Sequence, residues 1–170
     1  MAQGAAKVYK LGLKTAATYR SKCLGMPEGR LQRPRREAGR FLPGGAGSNS
    51  LTLQMALCGG DPIGSTTAAA PMEWARAVWD GTVEAAVLAR AWRRQQVRVG
   101  LVRSWARVVG PAGATIMSLR RARWTWPAWH TYVTRGGFEL DMREVCPQDV
   151  AATLQEDLDW EMWAVWTSQP

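Results

Sequence analysis

Histidine, lysine and cysteine are scarce in this 170-residue chain, and each shortage excludes a class of site. His130 is the only histidine, so metal pairs and nucleases that need two histidines are excluded. Cys23, Cys58 and Cys146 are odd in number and far apart, and they form no Cys-x-x-Cys, which argues against a disulfide framework and a structural zinc site. Reduced thiols inside a cell are the expectation. No lysine follows Lys22, which excludes nucleases that pair carboxylates with a downstream lysine.

Long apolar runs and phosphate-binding glycine loops are also missing. No stretch approaches the ~20 consecutive apolar residues of a spanning helix, so we expect no membrane span. No apolar segment of a secretory signal lies near the N-terminus. The glycine loop at residues 59–66 (GGDPIGST) lacks the lysine that reaches terminal phosphates in a P-loop, and it therefore indicates a turn.

Positive charge is what the chain has in excess, and it is unevenly placed. Residues 1–138 carry 21 basic and 6 acidic side chains, a net of +15, whereas residues 139–170 carry Arg143 against eight acids, a net of −7. Eighteen of the 22 basic residues are arginine. A body of this charge predicts a polyanionic partner, most commonly nucleic acid, although an acidic protein surface or anionic lipid also fits. The acidic tail can equally serve as an intramolecular counter-charge.

The hydrophobic periodicity predicts a mainly α fold, a bundle of about four to six helices with one β-hairpin near residues 129–142. We expect two parts, a basic, loop-rich N-terminal segment over residues 1–70 and a helical domain over residues 71–170 with an acidic C-terminal helix. In the first part, residues 1–24 contain no acid and resemble an organelle transit peptide, but they suit a basic helix equally well. Residues 30–40 form a basic run around Pro34, typical of a nucleic-acid patch or of a solvated loop or short helix.

Proline, glycine and capping residues divide the second part into elements. Pro71 can open a helix that Asp80-Gly81 ends, and Thr82 can cap the next. The periodicity predicts helices over 83–95, over 97–109 with Val97 facing inward, and from Pro111 to about residue 123. Period-two patterns at 129–134 and 138–142 then flank a glycine-bearing turn, with Phe138, Leu140 and Met142 on one face. Pro147 opens the final helix, with Val150, Leu154 and Leu158 on one side.

Arginine and tryptophan are mixed most densely in RRARWTWPAW, residues 120–129. Arginine neutralises phosphates, and an indole ring or a guanidinium plane can stack on unpaired bases. Most of the ten tryptophans are expected to fill the core, but Trp124 and Trp126 are the candidates for stacking. The arginines expected to contact phosphates are Arg90, Arg94, Arg98, Arg103, Arg107, Arg120, Arg121 and Arg123.

Two kinds of catalytic or metal site are alternatives to this binding site. Two carboxylates on one strand and two at i, i+3 on the last helix could hold two Mg²⁺ ions in a small phosphodiesterase: Glu139, Asp141, Glu156 and Asp159. Nothing nearby would anchor the scissile phosphate, so solvated carboxylates are favoured and no metal or other cofactor is predicted. A Cys146–His130 nucleophilic pair would require the hairpin to bring the two together.

Five strings resemble a known family. They are VYKLGLKTAATYRSK (8–22), FLPGGAGSNSLTLQMAL (41–57), EWARAVWDG (73–81), WARVVGPAGATIMSLRRARWTWPAW (105–129) and GFELDMREVCPQDV (137–150). Together they look like the region downstream of the polymerase domain in non-LTR-type retrotransposon reverse transcriptases of the dinoflagellate kind. The resemblance covers most of the chain and rests on the general similarity of these strings rather than on a catalytic motif.

The resemblance implies a segment of a larger polyprotein, in which the region after the polymerase palm helps to grip template and primer. The palm needs adjacent aspartates for two metal ions, and this chain contains no Asp-Asp, so no catalytic residue of the family transfers to it. The implied function is non-catalytic binding of RNA or DNA, with the upstream polymerase domain as a partner and an intracellular, nuclear location. A protein interaction module with a Trp-rich docking surface is the main alternative.

Overall fold

The structure is a computed structural model that describes residues 21–40, 55, 61–100 and 104–167, with the side chains of 162, 163 and 165–167 excepted. Six α-helices and a small antiparallel sheet make up these residues, which confirms the mainly α fold with a hairpin. The helices are α1 (Ser21–Leu24), α2 (Glu28–Arg40), α3 (Pro62–Trp79), α4 (Ala85–Gly100), α5 (Gly110–Arg121) and α6 (Pro147–Thr167). The strands are β1 (Thr125–Ala128), β2 (Thr131–Val133) and β3 (Glu139–Asp141).

Helix α5 is the centre of the bundle. Its residues from Ala112 to Leu119 are all buried, because α1, α3 and α4 pack around it. Small side chains permit this close packing: a Cβ at Gly113 would lie 2.6 Å from Oε1 of Gln95 on α4. Gly110 starts the helix with φ +70°, a conformation that favours glycine. The predicted helix from Pro111 is thus confirmed, one residue longer at its start.

Helix α3 corrects two predictions. It begins at Pro62, where the Asp61 side chain accepts a hydrogen bond from the backbone N–H of Ile63, so Pro71 lies in the helix interior rather than at its start. The boundary predicted between residues 70 and 71 therefore falls inside a helix. Ala68, on the N-terminal side of that boundary, belongs to the same apolar core as Trp74 on the other side.

The predicted helix over 83–95 is confirmed with later bounds, as α4 runs from Ala85 to Gly100. The separate helix predicted over 97–109 was wrong, because the described residues between α4 and α5 form only a single 3₁₀ turn over Trp105–Arg107. Leu88, Trp92, Gln95 and Val99 of α4 face the core, and this stripe leaves Val97 70% exposed rather than inward. The end of α3 was predicted correctly, since Asp80 caps it and Gly81 follows with φ +61°.

The hairpin is confirmed and has one more strand than predicted. The sheet order is β1-β2-β3, all antiparallel, with Tyr132 opposite Leu140 and β1 added at the outer edge of β2. Gly137 (φ +84°) supplies the turn between β2 and β3. Met142 is buried as expected, but Phe138 is 73% exposed because it lies in the turn before β3 begins.

Helix α6 begins at Pro147 as predicted and lies against α3. Val150, Leu154 and Leu158 are buried in the shared core, which confirms the predicted face. The basic run at 30–40 forms most of α2, with Pro34 inside the helix. The features predicted over residues 1–20 and 43–50, and all of 51–58 except Met55, lie outside the described residues. Within the described part of the chain, no helix has both the length and the apolar character needed to cross a membrane.

Candidate nucleic-acid interface

The outer face of α4 carries three of the predicted phosphate contacts. Arg90, Arg94 and Arg98 recur every four residues and are exposed, because the opposite face holds Trp92 and Val99 in the core. Helix α4 contains no acidic residue. None of the three arginines forms an ion pair with the residues that the structure describes, so their charges face solvent.

The other predicted arginines divide between the 3₁₀ turn and a cavity. Arg107 is exposed at the end of the turn, and Arg103 lies outside the described residues. A cavity of about 710 Å³ opens where α5 leads into β1. The structure brings together around it all the predicted residues from the 120–126 stretch: Arg120, Arg121, Arg123, Trp124 and Trp126, with Glu28, Met117 and Thr125 completing the lining.

Arg120 joins the cavity to the end of α4. Its Nη1 donates a hydrogen bond to the carbonyl oxygen of Val99 at 2.7 Å, where the C-terminus of a helix attracts positive charge. The guanidinium carbon lies 5.6 Å from the centroid of the Trp126 ring, a cation–π contact. The half-buried Trp126 ring also meets Trp92 edge-on at 6.3 Å. Arg120 and Trp126 therefore present a joined cationic and aromatic wall to the cavity.

Arg121 is mainly a structural residue. Its side chain is 11% exposed and donates to the carbonyl oxygen of Met26 at 2.6 Å, to Oγ1 of Thr67 at 3.0 Å and to Oε1 of Glu28 at 3.0 Å. Its guanidinium carbon also lies 5.0 Å from the Trp105 ring centroid. Burial lowers the pKa of Arg121, and the Glu28 carboxylate partly offsets this. Its donors are therefore largely committed within the protein.

Trp124 is a core residue, which corrects its prediction as a stacking platform. Only 2% of it is exposed, and its indole N–H donates to Oδ2 of Asp157 on α6 at 2.6 Å. Its ring packs beside Tyr132, with 6.4 Å between centroids. A ring that is 2% exposed has no free face for a base, although Trp124 is among the residues that line the cavity. The physical reason is its position between the end of α5 and β1, which brings the ring between Tyr132 of β2 and Asp157 of α6.

Arg123 is the most exposed arginine of the cavity. Its φ of +58° is left-handed, a conformation that costs a side-chain-bearing residue roughly 1 kcal/mol and that glycine adopts without strain. Its Nη2 lies 2.8 Å from Oε1 of Glu161 on α6. Sequence reasoning missed Glu161, because an acid 38 positions away gives no local signal of this contact.

Helix α2 is a second basic helix, and the predicted site does not include it. Helix α2 exposes Arg30, Arg33 and Arg36, spaced three residues apart. The run at 30–40 carried the signal, but its central proline made a loop equally plausible. Arg35 of the same run instead pairs with Asp61 at 2.9 Å.

The carboxylates form no metal site within the part of the chain that the structure describes. Asp141 is paired with Arg143, whose hydrogen bond holds the pKa of that carboxyl well below its usual range. His130 Nδ1 lies 3.5 Å from Oδ1 of Asp141, and the Cys146 thiol donates to Gln148, so the structure engages His130 and Cys146 with other residues. The phosphodiesterase alternative therefore gains no support from the geometry.

Asp159 gives a stability prediction of its own. Burial raises its pKa, and the nearby charges of Asp61 and Glu156 raise it further. Because the folded-state pKa exceeds the unfolded one, ionised Asp159 destabilises the fold above the folded pKa, and this penalty disappears below the unfolded pKa. We expect Asp159→Asn to stabilise the protein at pH 7 by on the order of 0.5 kcal/mol, the size of an exposed charge pair, and to have little effect near pH 3.

Urea denaturation at both pH values measures this difference. Asp149→Asn is the matched control, because it removes the same charge from the first turn of the same helix, where an acid is favourable. The control should destabilise slightly at pH 7. A gain for Asp159→Asn that is equal at pH 3 and pH 7 would contradict the electrostatic origin.

Comparison with known proteins adds no relative: no family model, no curated protein and no solved structure matches this chain.

Proposed function

We propose that this protein binds single-stranded nucleic acid, RNA or DNA, along the exposed arginine face of α4. The observation that carries the proposal is that Arg90, Arg94 and Arg98 lie on one acid-free helical face and have no intramolecular counter-charge among the described residues. Successive arginines are about 6 Å apart along the helix axis, from a rise of 1.5 Å per residue. A strand lying along α4 can therefore meet three cations in succession.

The proposal extends to the role implied by the sequence resemblance, a non-catalytic accessory segment of a retroelement reverse transcriptase. Two features support it: the net charge of +15 over residues 1–138 suits a polyanion, and Arg120, which bonds to the C-terminal end of α4, lines a cavity that also contains tryptophan. In this role the upstream polymerase domain would be the protein partner, and the site of action would be intracellular and nuclear. The protein would grip template or primer and leave the chemistry to the polymerase.

The test is a salt titration of binding to a single-stranded RNA and to the same sequence in DNA. Each phosphate neutralised contributes about −0.7 to the slope of log K against log salt for single strands. We expect the triple substitution Arg90→Gln, Arg94→Gln and Arg98→Gln to make the slope shallower by about 2 and to weaken binding at low salt by at least tenfold. The fold should be unaffected, because all three side chains are exposed.

A single-residue pair provides the matched control. Arg94→Gln removes one positive charge from the exposed face of α4. Arg135→Gln removes the same charge from the exposed turn of the hairpin. Only Arg94→Gln should change the slope. No binding at low salt, a flat plot for the unaltered protein, or equal effects of the two substitutions would overturn the proposal.

A protein interaction module is the second candidate, and exposed apolar side chains favour it. Trp79, Val83 and Val87 are exposed around the connection between α3 and α4, at the end of the helix that carries the arginine face. Aromatic residues and arginine are enriched at protein interfaces. Sedimentation without nucleic acid separates the candidates: self-association that Val87→Ser abolishes would support an interaction module, and a monomer that binds RNA would support the nucleic-acid function.

A further inference from the structure

The cavity between α5 and β1 has a charge and a shape that the arginine face of α4 lacks. It is concave, about 710 Å³ in volume, within the range of ligand sites in proteins. Among the residues that the structure describes, three arginines and one acid line it, and these side chains carry a net positive charge. A half-buried tryptophan, Trp126, forms part of the same wall. Cations beside an aromatic ring suit a ligand that is anionic at one end and planar at the other.

Arg123 occupies a backbone position at which arginine is unfavourable. The φ of +58° would suit glycine or asparagine, yet the chain has a long cationic side chain there. The left-handed conformation ends helix α5, where the N–H of Trp124 donates to the carbonyl oxygen of Leu119 at 2.9 Å. Glycine is usual at such a position, and here an exposed arginine that lines the cavity stands in its place.

Glu161 already shows which kind of ligand Arg123 accepts. Its carboxylate lies 2.8 Å from Nη2 of Arg123, and 66% of the Arg123 side chain remains exposed. Because the arginine end of this ion pair is exposed to water, the pair is weak, and a doubly charged phosphate can displace the carboxylate. The acidic helix α6 thus places an anion where an external anion would bind.

We propose that this cavity binds a nucleoside 5′-phosphate unit, with its phosphate on Arg123 in place of Glu161 and its base against Trp126. The inference rests on the proposed function and deepens it by naming the unit that the cavity would recognise. That unit is either a free mononucleotide or the 5′-phosphorylated end of a strand, since both present the same phosphate and base. Glu161 then acts as an intramolecular competitor of the ligand.

Calorimetric titration of the full chain with AMP, adenosine and inorganic phosphate tests the two halves of the ligand. We expect AMP to bind at least tenfold more tightly than adenosine or inorganic phosphate, because only AMP engages both Arg123 and Trp126. Binding of inorganic phosphate as tight as that of AMP would reduce the cavity to an anion site and overturn the proposal. Absence of AMP binding would overturn it as well.

Three substitutions assign the site. Arg123→Gly relieves the left-handed strain, so it should fold at least as well as the unaltered protein while weakening AMP binding at least tenfold. Glu161→Gln removes the competitor and should tighten AMP binding about threefold to tenfold. Glu139→Gln is its control: it makes the same charge change on β3, the strand farthest from β1 in the sheet, and should change nothing. If Glu161→Gln and Glu139→Gln change AMP binding equally, the effect comes from long-range charge alone. That result would show that Glu161 does not compete with the ligand for Arg123.

Oligonucleotides separate the sources of the ligand, and they separate this inference from the proposed function. A 5′-phosphorylated RNA that binds more tightly than its 5′-hydroxyl counterpart, with the advantage lost in Arg123→Gly, identifies the strand end. Equal binding of the two RNAs while AMP still binds identifies the free nucleotide. If the α4 substitutions abolish the salt dependence but AMP does not bind, the cavity inference fails and the proposed function stands. If AMP binds but RNA does not, the proposed function fails and the cavity is a mononucleotide site.

Discussion

Trp124→Ala is expected to destabilise the protein by about 4 kcal/mol, the cost usual for removing a large buried aromatic side chain. The ring is 2% exposed and packs beside Tyr132, and its N–H donates to Asp157 at 2.6 Å. The substitution therefore opens a cavity and breaks the link between the start of the sheet and α6. Since domains of this size are stable by only about 5–15 kcal/mol, the variant should be close to unfolding. Urea denaturation followed by far-UV circular dichroism measures the loss.

Two further substitutions separate packing from hydrogen bonding at this position. Trp124→Phe keeps most of the ring and removes the donor to Asp157, so it should cost about 1–2 kcal/mol. Trp126→Ala, two residues on, removes a half-buried ring of the same type and should cost clearly less than Trp124→Ala. If the two alanine variants were equally stable, Trp124 would not be the core residue described above.

The contrast between these two tryptophans shows how much about a side chain's burial can be predicted from local sequence. Both lie in one Arg- and Trp-rich string, and composition predicts equal roles for them. Residues two apart share one face of a strand, so β1, which was not predicted, does not itself separate them. The structure separates them by tertiary contacts: Trp124 packs beside Tyr132 and bonds to Asp157 on α6, whereas Trp126 is half-buried beside Arg120. A proline at position 127 and a strand of only four residues hide the period-two pattern. Which of the two rings is enclosed depends on α6, which is distant in sequence.

Elements with strong local signals were predicted well. Proline at the first turn marks the start of α6, glycine follows the end of α3, and glycines form the hairpin turn. The start of α3 had an equally good signal, Asp61 before Pro62, but the glycines at 59 and 60 suggested only a turn. Pro71 gives a second start signal, but it lies in the interior of α3. Local sequence rules allow a helix start at either proline. The packing of α3 on α5 and α6 selects Pro62, because it buries residues on both sides of Pro71.

The arginines show the same division between features that follow from local sequence and contacts that depend on the tertiary fold. The face of Arg90, Arg94 and Arg98 follows from helical spacing alone, and the structure leaves it exposed as predicted. Arg120 and Arg121 have the same composition around them, but both are engaged by parts of the chain 20 or more residues away. Nothing in the sequence near Arg121 indicates that its partners are Met26 and Glu28. Such partners can be identified only from the position of α5 in the bundle.

Arg121→Leu is expected to destabilise the protein by about 3 kcal/mol, the usual result of removing one partner from a largely buried, hydrogen-bonded charge. The substitution leaves the Met26 carbonyl, the Thr67 hydroxyl and the Glu28 carboxylate without this donor, and it removes the contact with Trp105. Because these partners belong to different parts of the fold, Arg121 links the N-terminal helices to α3 and α5. Hydrogen exchange should therefore increase most in α1 and α2 and least in α6.

The pH dependence of the same variant identifies the ion pair. Burial raises the pKa of Glu28, but hydrogen bonds from its own backbone N–H and from Arg121 outweigh this and hold the pKa below its usual value. A carboxyl whose folded pKa is lowered stabilises the fold above its unfolded pKa, and this contribution is lost as pH falls through the folded value. The difference between the unaltered protein and Arg121→Leu should thus narrow below about pH 4. Arg121→Lys, which keeps the charge but not the forked donors, should have a stability between those of the unaltered protein and Arg121→Leu. A loss for Arg121→Leu that is independent of pH would rule out the ion pair with Glu28 and leave packing and the bonds to Met26 and Thr67 as its cause.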